Sequence, residues 1–207
     1  MPDTVDTDED LLRRARAGEE DAFLSIYTRH RVAMYRFACR LLRSESAAED
    51  VTHDCFLSLF KNPERFDPSR GTSLRTYLFA AVHNLAMKHF RRAGQEAWTD
   101  EATPPEEPRT PDAEEPLSRL IEAELSATVR AAVESLPALQ REVLILFEFE
   151  ELSLSEIAVV LDAEVNTVKS RLARARAGLQ RTLAPYLERR EEPGEVLGKV
   201  LVGAAEK

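Results

Sequence analysis

Apolar side chains recur along most of this chain at three- and four-residue intervals, the period of an α-helix with one face turned inward. In DEDLLRRARAGEEDAFLSIYTRHRVAMYRFACRLLRS, residues 8–44, the positions Phe23, Ile26, Tyr27, Met34, Phe37, Leu41 and Leu42 keep that spacing and predict a first amphipathic helix. Ser44 or Ser46 can cap a second, SAAEDVTHDCFLSLFKN, which Asn62 and Pro63 end. The turn-rich ERFDPSRG follows, and a third helix starts near Thr72 or Ser73 and runs through LRTYLFAAVHNLAMKHFRR. Along it Leu74, Tyr77, Leu78, Ala81 and Leu85 share the expected core face, leaving Phe79, His83 and Phe90 opposite.

The pattern stops at AGQEAWTDEATPPEEPRTPDAEEP, residues 93–116, where five prolines accompany eight acids and the single base Arg109. Such a run cannot bury enough apolar surface to fold and predicts a disordered or extended tether. Helical periodicity then resumes in PLSRLIEAELSATVRAAVESL, and Pro137 occupies the first turn of PALQREVLILFEFEE. Ser153 with Glu156 forms a capping box that opens LSEIAVVLD, and a tight turn from Asp162 to Glu164 leads into VNTVKSRLARARAGL. The expected organisation is all-α: helical domains at 1–92 and 117–187, the second containing a helix-turn-helix, an acidic Pro-rich linker at 93–116 and a tail at 188–207.

Composition supports helices, since Gly is scarce at 7 of 207 residues while hydrophobic residues make up 43% and charged ones 31%. No apolar window approaches eighteen residues and the N-terminus is acidic, so neither membrane insertion nor a signal peptide is expected and a cytoplasmic setting is. Cys39 and Cys55 lack paired spacing and are expected as reduced, buried thiols; the four scattered histidines give no metal-ligand pattern. Nucleotide-binding, metalloprotease and serine-hydrolase motifs are absent, so no catalytic residue, cofactor or small-molecule substrate is assigned.

Charge sharpens the picture because it is unevenly spread. The chain carries a formal net charge of -9, of which residues 93–116 hold -7, while residues 61–92 hold seven Lys or Arg against two acids. VNTVKSRLARARAGL contains Lys169, Arg171, Arg174 and Arg176 and no acid. Wound at 100° per residue, it puts Val165, Val168, Leu172, Ala175 and Leu179 on one face, and Asn166, Ser170, Ala173 and Arg174 on the other. Short or hydrogen-bonding tips flanked by cations suit insertion into the major groove, and Arg174 can pair with guanine. A cationic helix face that is only solvated is the competing reading.

The order of segments carries more than any one of them. DAFLSIYTRHRVAMYRFACRLL, AEDVTHDCFLSLF, FDPSRGTSLRTYLFAAVHNLA, a tether, then LPALQREVLILFEFEELSLSEIAVVLDAEVNTVKSRLARARAGL resembles the bacterial extracytoplasmic-function sigma factors over about residues 11–183. The resemblance implies a non-enzymatic promoter-reading subunit of RNA polymerase. Its AEDVTHDCFLSLF helix would dock on the clamp helices of the largest subunit through Glu49, Asp50, His53, Asp54, Phe56 and Phe60, and the second domain would meet the flap of the second-largest. Phe56 and Phe60 lie well round from the face of Val51, Cys55 and Leu59, which fits either a partner surface or a helix buried on two sides.

For the minus-10 element the resemblance implies Arg65, Arg70, Arg75, Phe79, His83 and Asn84, with Lys88, Arg91 and Arg92 supplying a phosphate field. Phe79 and Phe90 are either stacking platforms for unpaired bases or packing residues. For the minus-35 element it implies Asn166, Thr167, Lys169, Ser170, Arg171, Ala173, Arg174 and Arg176. His83, Ala80 and Tyr77 stand where the family usually has two arginines and a tryptophan, Glu151 replaces a usual glycine, and Glu164 makes the turn before the reading helix acidic. An anti-sigma factor is a further candidate partner. The rival is a free-standing helix-turn-helix regulator of duplex operators, which leaves the first domain without a role.

Overall fold

The structure, a computed structural model, describes residues 6–92 and 127–187. The linker at 93–116, the start of the second helical segment and the tail at 188–207 lie outside the described residues. Among those described, all regular structure is helical, and it forms two compact units.

The first unit contains α1 (Asp8–Arg16), α2 (Glu20–Leu42), α3 (Glu45–Lys61) and α4 (Leu74–Arg92). The single helix expected over residues 8–42 is two, because Gly18 turns through φ 91, a left-handed conformation that ends α1. Thr7 caps α1 by accepting from the Asp10 N–H at 3.2 Å, and Ser44 caps α3 by accepting from the Ala47 N–H at 3.3 Å. Ser73 does the same for α4, accepting from the Thr76 N–H at 3.1 Å. Arg43, at φ 52, closes α2.

Leu12, Ile26, Met34, Phe37, Leu41, Leu59 and Leu78 are fully buried and form the core of this unit, each burial being worth about 1.5–3 kcal/mol. Phe79 joins them with its ring edge-on to Phe37, centroids 5.2 Å apart. The core face of α4 therefore runs through Leu74, Leu78, Phe79, Val82 and Ala86, whereas Tyr77, Ala81 and Leu85 are only half-buried. The expected face is rotated by roughly a quarter-turn, at 100° per residue, because the large Phe79 ring fills the space against α2. Cys55 is buried and its thiol pushed up to about 12 by that burial; it donates to the Leu78 carbonyl at 3.9 Å, while Cys39 is half-buried, and no disulfide joins the two.

The second unit contains α5 (described over residues 127–134), α6 (Ala138–Leu144), α7 (Leu154–Val160) and α8 (Val165–Leu187). Pro137 is the N-cap of α6, one position before the first turn expected of it. α6 does not finish as an α-helix. It widens into a π-helical turn over Ile145–Phe149, where the Glu150 N–H donates to the Ile145 carbonyl at 3.2 Å. The run Val143–Phe149 is too uniformly apolar for one 3.6-residue stripe, and the wider turn buries Ile145 and Leu146 while leaving Glu148 on the side of α8. Arg141 ties α6 to α5 by donating to the Glu134 carbonyl at 2.7 Å. α8 approaches Leu136 closely at Gly178, where an added Cβ would come within 2.6 Å of the Leu136 Cδ2.

Candidate nucleic-acid interface

The helix-turn-helix of the second unit is built by local chemistry. The Ser153 N–H donates to Glu156 Oε2 at 2.9 Å and the Glu156 N–H to Ser153 Oγ at 3.3 Å, the reciprocal capping box that starts α7. Glu151 at φ 51 and Asp162 at φ 47 turn the chain on either side of α7. Ile157, Ala158 and Val160 on α7, and Val168, Leu172, Ala175 and Leu179 on α8, are buried; Val165, expected with them, sits at the exposed first turn.

That packing turns the polar side of α8 outward. Asn166, Thr167, Lys169, Ser170, Ala173 and Arg174 are exposed and Arg171 is half-buried. Ser170 Oγ donates to the Asn166 carbonyl at 2.9 Å, which leaves its lone pairs to accept. Arg176 is exposed but engaged: it donates to Glu148 Oε1 through Nε at 3.0 Å and Nη2 at 2.7 Å, and its guanidinium lies 5.0 Å from the Phe147 ring centroid. Part of its charge is thereby balanced within the domain. Asp162 and Glu164 are exposed just before the first turn of α8.

In the first unit the outward side of α4 carries half-buried Tyr77 with exposed Asn84, Lys88 and Arg91, at helical positions i, i+7, i+11 and i+14; Arg92 is exposed as well. Phe79 is not among them. It is fully buried, with the half-buried Arg75 guanidinium 5.2 Å from its centroid, so it is a packing residue and presents no free face to a base. His83 and Phe90 are half-buried. The aromatic ring that shares the basic face is Tyr77, seven residues before Asn84, a position the sequence reading placed in the core.

Between α3 and α4 the loop is organised by short turns, Pro63–Arg65 and Pro68–Arg70. Asp67 Oδ1 accepts from the Ser69 N–H at 3.0 Å and its hydroxyl at 2.7 Å, and Gly71 closes the second turn at φ 71. Phe66 is buried as a plug, its ring 5.5 Å from Tyr77, while Arg65, Asp67, Pro68 and Ser69 are exposed. Arg16 reaches in from α1 and donates to the Pro63 carbonyl through Nε at 3.2 Å and Nη2 at 2.8 Å, and to the Phe66 carbonyl at 2.5 Å. No spacing in the sequence signals that contact, which joins residues 47 and 50 positions apart.

On α3, Glu49, Asp50, His53, Asp54 and Phe60 form one exposed strip; Phe60 is 53% exposed, with its ring edge against Phe23 at 4.8 Å. Phe56 belongs to the interior instead, 3% exposed and packed on Tyr27 at 5.0 Å, because α2 covers α3 on that side. It offers no surface to a partner. No helix among the described residues is long and apolar enough to cross a membrane.

Two family models match this chain: Sigma-70 region 2 over residues 26–96, and Sigma-70, region 4 over residues 126–179. The ECF RNA polymerase sigma factor SigW of Bacillus subtilis is 29% identical over 178 residues, 83% of this chain and 94% of that protein. The ECF RNA polymerase sigma factor SigM of Mycobacterium tuberculosis is 30% identical over 177 residues, 86% of this chain and 85% of that protein. Among solved structures, the sigma factor RpoE of Bartonella quintana in complex with the anti-sigma factor NepR superposes with a TM-score of 0.60 at 25% identity, covering 78% of this chain and 96% of that one. With both family regions present in order and nearly the full length of these relatives spanned, the chain belongs to the extracytoplasmic-function family of RNA polymerase sigma factors.

Proposed function

We propose that this sigma factor binds core RNA polymerase and directs it to promoters whose minus-35 element is read by α8 and whose minus-10 element is read by α4 and the loop before it. The observation that carries this reading is the exposed, acid-free face of α8 from Asn166 to Arg174, on a helix-turn-helix that accompanies a separate helical unit whose segment 61–92 is basic. Arg174 supplies base discrimination, about 1–3 kcal/mol for a bidentate contact with guanine. Lys169 and Arg171 contact phosphates and hold register. In the first unit Lys88, Arg91 and Arg92 hold the non-template strand electrostatically, and Asn84 offers it hydrogen bonds. Arg65, Arg70 and Arg75 complete that field and His83 lies among them; Arg70 contributes by sequence alone, since its side chain lies outside the described residues.

The acidic strip Glu49, Asp50 and Asp54, with His53 and the exposed Phe60, is the docking surface for the clamp helices, an apolar anchor beside charges that set orientation. The flap is the partner of the second unit. The chain acts in the cytoplasm, as a transcription factor and not an enzyme. An anti-sigma factor is a candidate regulator, supported by the likeness to RpoE, whose structure holds NepR. Run-off transcription with purified core polymerase tests the whole reading: start sites chosen only when core and this chain are combined support it, and tight, specific duplex binding by the free chain without effect on core overturns it.

A further inference from the structure

Arg16 closes α1, where a cation ordinarily favours its own helix carbonyls, yet its donors go to the Pro63 and Phe66 carbonyls of the loop between α3 and α4. In the loop the Arg65 and Gly71 N–H groups donate to the Asn62 and Pro68 carbonyls, while Arg16 donates to those of Pro63 and Phe66. The same two carbonyls flank the turn that presents Arg65 and plugs Phe66 beneath Tyr77.

The far end of α1 is pinned as well. Asp8 accepts from Arg29 Nη1 and from the His30 ring at 2.8 Å, and Leu11 and Leu12 are buried between the two ends. α1 is thus a short strut, about 13 Å long at 1.5 Å per residue, braced on α2 and gripping the loop.

Resting on the promoter reading above, we propose that Arg16 is a positioning residue for minus-10 recognition: its fork holds the loop from Pro63 to Gly71 in the shape that receives an unpaired non-template base. The residue touches no DNA. It acts by removing freedom from the loop before the strand arrives, so that binding does not have to order it. Lysine cannot replace it fully, because one ammonium lacks the planar fork that serves both carbonyls at once.

The test uses holoenzyme assembled from the full chain and core polymerase, on promoters with a pre-opened minus-10 bubble. The non-template strand is either intact or abasic at one position at a time. Wild type is expected to lose roughly tenfold in affinity at the position the loop receives, the scale of one stacked base. R16A is expected to lose roughly as much on the intact bubble and nothing further at that abasic position, with R16K in between. R16A binding the intact bubble as wild type does, or losing the same factor on intact and abasic strands alike, overturns the role of Arg16. Wild type indifferent to base removal at every position overturns the reading of the loop itself. Binding to a minus-35 duplex alone reports on the second unit, and R16A must match wild type there; a shared loss would mark general damage and also sink the proposal.

Discussion

Glu151 holds a left-handed conformation at φ 51 without being glycine, asparagine or aspartate. For an L-residue that conformation costs roughly 1–2 kcal/mol, and glycine returns some of the gain through a freer unfolded chain, about 0.4–1 kcal/mol. Glu151→Gly is therefore expected to stabilise the second unit by roughly 0.5–1 kcal/mol, seen as a higher urea midpoint at unchanged slope. A lower midpoint would show that the Glu151 side chain makes up for its backbone. Asp8 illustrates the opposite balance, in which a side chain gains from its place in the fold. Its hydrogen bond to His30 leads the causes that hold the carboxyl below 3.8, burial opposes, and Arg29 adds to the lowering. A depressed folded value means the contribution is present above the unfolded value and lost as pH falls through the folded one. The stability difference between wild type and Asp8→Asn should accordingly be full near neutrality and shrink well below pH 3.8; a difference that persists in acid refutes the charge origin.

Among the helices, α8 divides its cations between two tasks. Arg174 is exposed on the outward face, whereas Arg176 is bonded to Glu148 and stacked over Phe147. Arg174→Ala should leave the unfolding midpoint unchanged and relax base preference at one promoter position by about 1–3 kcal/mol, while Arg176→Ala should lower the midpoint and change base preference little. The reverse pattern in a promoter-variant titration would exchange their roles. What could be foreseen in α8 and α7 was local: a capping box four residues long, and apolar positions with one plausible partner helix. α4 was harder, because Leu74, Tyr77, Leu78, Ala81 and Leu85 form as good an apolar arc as the true one. Only the ring of Phe37, arriving from α2, decides for Phe79 and frees Tyr77. Phe56 was open between two readings for the same reason, and Tyr27 settles it. The π-helical turn and the grip of Arg16 have no period to announce them.

At the scale of the molecule, two DNA-reading units lie in one chain, separated by a segment that carries -7 of the -9 net charge. Joining them makes the second promoter contact intramolecular, so modest individual affinities suffice once the first is made. The acidic segment should also compete with DNA for the cationic helices while the chain is free. Replacing its eight acids with their amides keeps its length, and is expected to raise the free chain's affinity for nonspecific duplex, most at low salt, and to steepen its salt dependence. Identical titrations of the two proteins across salt concentrations would discard the competition.

The bare backbone at Gly178 carries a practical corollary. Any side chain there must displace the buried Leu136 side chain or shift α8 on its support, whereas Asn166, Lys169, Ser170, Ala173 and Arg174 are exposed. Mutagenesis libraries aimed at new promoter preferences can vary those five sites freely and inherit a sound scaffold. A variant selected at position 178 would alter its targets by tilting the reader, and its effects should spread across the whole element instead of settling on one base pair.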